Sequence, residues 1–268
     1  MRYGSEMKAI LLTGICIAAA FAAEAQEFAA YRKMQFTSEE KVLPYRMLSP
    51  VAEAGKKYPL LIFLHGAFEK GDDNEQQLNI GGRFFLRDSI RHNYPAFVLF
   101  PQCPQDDSWA YFENRIDFST GNAVDWNFPF NKTPTPITGL LLKLIDSVLL
   151  NDSIDRSRVY IGGLSQGGMG VLDIIARRSD QFAAGLAICG AGEPATTKLF
   201  ANKVALWLFH GDKDLVVPPD FTRQFYKRLK RAGSEVRYSE YPGVEHNSWV
   251  KAFAEPALMK WLFAQSKK

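Results

Sequence analysis

One segment constrains this chain more than any other. Val159-Tyr160-Ile161-Gly162 is a continuous apolar run, Gly163-Leu164-Ser165-Gln166-Gly167 follows it as Gly-x-Ser-x-Gly, and Met169 to Arg178 continues in a helical pattern. A serine held at so sharp a strand-to-helix turn takes a strained backbone, and Gly163 and Gly167 remove the side chains that would collide across the bend. The helix that begins beyond Ser165 turns its first N–H groups toward a site where negative charge can develop. A turn of this kind belongs at the edge of a sheet that helices cover.

The rest of the chain supplies such a sheet. Leu60 to Leu64, Phe97 to Phe100, Gly185 to Cys189 and Leu206 to Phe209 are further apolar runs without polar alternation, as strands buried on both faces require. Between them, Ile137 to Leu150 gathers Leu140, Leu141, Leu144, Ile145 and Val148 on one helical face, and Phe221 to Arg231 gathers Phe221, Phe225 and Leu229. Ala30 to Thr37 and Val42 to Pro50 read as an antiparallel entry to the sheet, Val236 to Tyr241 as a late strand. Ser248 to Phe263 reads as a closing helix that Pro256 kinks or breaks. The prediction is an α/β protein with a mostly parallel central sheet and helices on both faces. At 268 residues and 47% hydrophobic, it is one large domain. The stretch from Pro101 to Pro136 reads as a long irregular loop near the active site, with Trp109, Tyr111, Phe112, Phe118, Trp126, Phe128 and Phe130 set among Asp, Asn, Gly and Pro.

The amino terminus is a separate object. Arg2 and Lys8 precede an apolar run from Ala9 to Ala23, and Ala23-Glu24-Ala25 fits a small-x-small cleavage site. Residues 1–25 are therefore expected to be a signal peptide and 26–268 the catalytic domain, exported to the periplasm or the medium. The apolar run falls short of the ~20 residues of a spanning helix, so no stable membrane anchor is expected. With 32 basic and 29 acidic residues, scattered rather than grouped, nucleic acid is excluded as a partner. Cys103 and Cys189 fall at the ends of strands that are not neighbours, which predicts two free thiols.

A serine hydroxyl is inert at neutral pH and needs a base and a group to orient it. The chain has four histidines. His92 ends a polar helix and reads as solvated; His65 and His210 each occur as His-Gly at a strand end, where a histidine usually bonds loop backbone. His246 remains as the base, in Tyr241-Pro242-Gly243-Val244-Glu245-His246, after a strand and a glycine turn. The acid lies in His210-Gly211-Asp212-Lys213-Asp214, where Asp214 sits deeper because Val216, Val217 and Pro218 return it toward the core; its rival Asp212 reads as a brace of the turn. Ser165, Asp214 and His246 then all follow strands, on one edge of the sheet. Backbone N–H groups of Gln166 and of Ala67, which follows Leu64-His65-Gly66, are the candidate oxyanion hole.

These segments, with Glu69-Lys70-Gly71-Asp72-Asp73-Asn74, Pro101-Gln102-Cys103-Pro104, Ile188-Cys189-Gly190 and Asn247-Ser248-Trp249, resemble the exported esterase-like α/β-hydrolases. Many of these are called predicted peptidases, and they are related to polyhydroxybutyrate depolymerases, feruloyl esterases and phospholipase/carboxylesterases. The likeness runs from about Tyr58 to the end of the chain. Phe68 stands where that group usually has a second glycine, and Glu245 where a small residue often precedes the histidine. The resemblance implies an ester hydrolase more than a peptidase.

The expectation is a serine carboxylesterase that needs no metal or organic cofactor. Its substrate is a small-molecule or polysaccharide-linked ester, with carbohydrate-bound feruloyl or acetyl groups favoured by the aromatic loop. Trp109, Trp126 and Trp249 are the candidate substrate contacts. Three other readings use the same residues: a serine peptidase like the prolyl oligopeptidases, which would want a gating domain; a lipid-active thioesterase or lipase, which would want an apolar lid; and a binding protein that keeps the fold without the chemistry.

Overall fold

The apolar runs marked as buried strands lie side by side. The computed structural model describes residues 28–267 except 122; the expected signal peptide lies outside the described residues. In chain order the strands are β1 (Tyr31–Ser38), β2 (Lys41–Leu48), β3 (Tyr58–Leu64), β4 (Phe97–Pro101), β5 (Glu113–Ile116), β6 (Ala123–Asn127), β7 (Ile154–Leu164), β8 (Ala184–Ile188), β9 (Ala205–Gly211) and β10 (Val236–Tyr241). The helices are α1 (Gly82–Leu86), α2 (Asp88–Asn93), α3 (Pro136–Val148), α4 (Gln166–Arg177), α5 (Thr197–Phe200), α6 (Asp220–Arg231), α7 (Trp249–Ala252) and α8 (Leu258–Phe263). Eight strands form one sheet in the order β1-β2-β4-β3-β7-β8-β9-β10. β1 and β2 are antiparallel, as is β2 against β4, and from β4 to β10 every pairing is parallel. This is the α/β-hydrolase fold in a single domain.

Alternation explains why both faces need helices. Every residue of β3 is buried; Leu60, Ile62 and Leu64 join the core beneath α3, α4 and α6, while Leu61 and Phe63 join the one beneath α1, α7 and α8. Burying each such side chain contributes about 1.5–3 kcal/mol. α3 starts where Thr135 caps it, accepting a hydrogen bond from Thr138 N at 3.3 Å, with Pro136 preset in the first turn. The expected closing helix is two short ones, α7 and α8, with Pro256 between them, because proline cannot donate to the preceding turn.

The stretch expected to be irregular holds a two-stranded hairpin, β5 with β6. Its base is pinned by Arg177, which pairs with the buried Asp173 at 2.6 Å, bonds the Asn131 and Lys132 carbonyls and lies over the Phe130 ring. Cys103 and Cys189 are buried free thiols. Among the described residues no helix is long and apolar enough to cross a membrane.

Candidate active site

The carboxyl ends of β7, β9 and β10 bring three side chains together. Ser165 joins β7 to α4 at φ 53° and ψ −120°, a conformation that side chains rarely adopt. It is possible because its neighbours are glycines: a Cβ on Gly163 would stand 2.5 Å from Gly167 O, and one on Gly167 would stand 2.1 Å from Leu64 O. Asp214 follows β9 and His246 follows β10. Their loops are tied, with Asp212 N donating to Tyr241 O at 3.1 Å and Lys213 N to Val244 O at 3.0 Å. Asp212 Oδ1 accepts from Gly243 N at 2.7 Å, the bracing role expected of it.

His246 spans the other two. Its Nδ1 lies 2.7 Å from Asp214 Oδ2 and its Nε2 2.9 Å from Ser165 Oγ. A carboxylate only accepts, so Nδ1 carries the proton and Nε2 is left to receive the one on Ser165. Asp214 is 3% exposed. Its Oδ1 accepts from Val216 N and Val217 N, each at 2.9 Å. Burial works to raise its carboxyl, but contacts from His210 and His246 and the Val217 N–H outweigh it and hold the group well below the usual carboxylate range.

Ala67 and Gln166 each open a helical turn, Ala67 the single turn Ala67–Glu69 after β3 and Gln166 the helix α4. First-turn N–H groups have no partner within their own helix, so both are available to a ligand. His65 is structural, as expected: Nδ1 donates to Gly66 O at 2.6 Å, and Nε2 accepts from Cys103 N at 2.9 Å. Burial pulls its imidazole down to about 4, so it is neutral.

His210 has a role that sequence reasoning missed. Its Nε2 meets Val217 O at 2.9 Å and Asp214 Oδ2 at 3.1 Å, and its Nδ1 meets Thr222 Oγ1 at 2.8 Å. The backbone contact was expected, the carboxylate was not. Its place four residues before the acid, at the end of the same strand, was the available signal.

The three tryptophans separate. Trp109 is fully buried, its Nε1 donating to His65 O at 3.2 Å, so it presents no face to a substrate and the expectation of a contact there is corrected. It packs under the loop because Gly170 leaves room for it. Trp126 is partly exposed, stacked on Phe128 at 5.5 Å, in a cluster with Met169 and Val217 that adjoins the nucleophile and acid loops. Trp249 stands edge-on to His246 at 5.7 Å. Phe68, Leu215 and Val216, each within two residues of Ala67 or Asp214, are exposed around these groups.

A model of the phospholipase/carboxylesterase family matches residues 48–257. The chain belongs to this family. Family and fold alike are those of the α/β-hydrolases. Among solved structures the chain is similar to a thermostable esterase at 33% identity and TM-score 0.79, covering 90% of this chain and 64% of that one. It also resembles a ferulic acid esterase of Anaeromyces mucronatus in complex with ferulic acid, at 20% identity and TM-score 0.58 over 85% and 89% of the two chains. An acylaminoacyl peptidase of Pyrococcus horikoshii is similar at 20% identity and TM-score 0.59 over 89% and 42%. The last two likenesses are of fold. A comparison with curated proteins gives no match.

Proposed function

We propose that this family member hydrolyses carboxylic esters through an acyl-enzyme formed on Ser165, and that its natural substrates are esters linked to carbohydrate, feruloyl or acetyl. The observation that carries the reading is the single imidazole of His246 between Ser165 Oγ and Asp214 Oδ2, at 2.9 and 2.7 Å. Ser165 attacks the ester carbonyl as His246 takes its proton. Asp214 stabilises the imidazolium, and the N–H groups of Ala67 and Gln166 receive the oxyanion. His246 then protonates the departing alcohol, and water, deprotonated by the same imidazole, releases the acid. The partly exposed Trp126, its neighbour Phe112 and Trp249 supply aromatic faces that suit a sugar or phenolic ring. Export of the protein, through its first 25 residues, would place it where such polymers are met.

The test is a panel of p-nitrophenyl acetate and butyrate, methyl ferulate, acetylated xylan and an aminoacyl p-nitroanilide, offered to the mature protein and to Ser165→Ala. Ester turnover that disappears in the variant is expected. Cleavage of the anilide alone would replace the esterase reading with a peptidase.

A further inference from the structure

An oxyanion donor works only if its N–H is held in place before the charge arrives. Helix α4 fixes Gln166. Ala67 has no comparable support: its turn is a single one, Gly66 has no side chain, and the Phe68 ring is 92% exposed. The loop is tethered at its ends, by Trp109 and Cys103 on His65, by Gln102 Nε2 on Glu69 O at 3.4 Å and by Gly71 N on Cys103 O at 2.9 Å. These contacts leave the turn between them to be explained.

Glu69 closes that turn and is only 6% exposed. Its carboxyl folds back beneath Gly66, on the side of the nucleophile: a Cβ on Gly66 would stand 3.1 Å from Glu69 Oε2 and 3.7 Å from Ser165 Cβ. The carboxyl thus packs the last residue of the turn against the first, around Ala67. Oε2 is buried without a hydrogen-bond partner. A charged carboxylate left in that state is far costlier than a neutral acid, and burial accordingly pushes the Glu69 carboxyl up. A negative charge there, on the side of the nucleophile, would also oppose an oxyanion forming beside Ser165.

We propose that Glu69 is a positioning residue for the oxyanion hole: its buried carboxyl, folded under Gly66, holds the turn that presents the Ala67 N–H. This rests on the reading of Ala67 as an oxyanion donor given under Proposed function. With the turn held from within, position 68 is free to carry a side chain that faces solvent.

The experiment compares the wild type with Glu69→Gln, Glu69→Ala and, as an apolar replacement of similar size should the alanine variant fail to fold, Glu69→Met. Three quantities are read: kcat and KM on p-nitrophenyl acetate, the affinity of an alkyl boronic acid that mimics the tetrahedral oxyanion, and hydrogen exchange in the peptide covering residues 66–71. Glu69→Gln, neutral and nearly isosteric, is expected within about threefold of wild type on all of them. Glu69→Ala or Glu69→Met is expected to lower kcat up to about 100-fold with KM little changed, to weaken the boronic acid by the same factor, and to speed exchange in the loop. Wild-type kcat and exchange in both would overturn the proposal, as would a Glu69→Gln variant as impaired as Glu69→Ala. If the wild type hydrolyses no ester, the proposed function falls, and exchange alone decides Glu69: protection lost in Ala or Met and kept in Gln supports the clamp, and equal protection in all of them refutes it.

Discussion

His210 Nε2 stands 3.1 Å from the same Asp214 oxygen that His246 Nδ1 meets at 2.7 Å. Two imidazoles thus share one carboxylate, one from within the core and one from the reacting side. Asp214 Oδ2 is stabilised as an anion twice over and held in place opposite His246. Replacing His210 by Phe removes one of the two donors that fix that oxygen, and kcat/KM is expected to fall about tenfold. Unchanged kcat/KM in a folded variant would show that His210 only packs.

Asp212 and Asp214 are two residues apart and differ in what they face. Asp214→Asn keeps the shape but removes the charge opposite His246 and disturbs its tautomer, and about a 10⁴-fold loss of kcat is expected. Asp212→Asn keeps an acceptor for Gly243 N and should stay within about threefold of wild type. Steady-state kinetics of the two variants side by side would reverse the assignment if the losses were exchanged.

Much of this was legible because chain order and strand ends carry it. Ser165, Asp214 and His246 each follow a strand of one parallel sheet, so their shared edge could be read before their distances were known. What could not be read was the direction of side chains beyond those ends. His210 looks the same in sequence whether it bonds a carbonyl or a carboxylate, and nothing in Glu69-Lys70-Gly71 says that the carboxyl folds back under Gly66. The β5–β6 hairpin was hidden for another reason: Glu113–Ile116 is exposed along its length and shows no inside-outside alternation.

His65 titrates in a direction that can be followed. Its folded value of about 4 lies below the ordinary 6.5, so an unfolded chain binds the proton first. The stability this confers is fully present above pH 6.5, falls as the pH drops, and is lost by about pH 4, a difference of about 3 kcal/mol. Nitrogen-15 NMR of the imidazoles should find His65 neutral at pH 5, with its proton on Nδ1. Protonation near pH 6.5 would mean that Nε2 does not accept from Cys103 N.

Trp109 and Trp126 provide a paired test of which aromatic residues meet the substrate. Trp109 fills space beneath the loop, where a Cβ on Gly170 would come 2.4 Å from its own Cβ, and its indole N–H is spent on His65 O. Trp109→Ala leaves a large cavity and is expected to cost about 3–5 kcal/mol in a denaturant titration. Trp126 is stacked on Phe128 and tilted against Phe112 but stays partly exposed, so Trp126→Ala should cost much less. Its effect should appear in KM, as a several-fold rise for methyl ferulate larger than that for p-nitrophenyl acetate, since only a bulky acyl group reaches an aromatic wall built beside Met169 and Val217. An equal change for both esters would place Trp126 with the loop's scaffolding instead, and the acyl group would then have to lie toward Trp249 or Phe68.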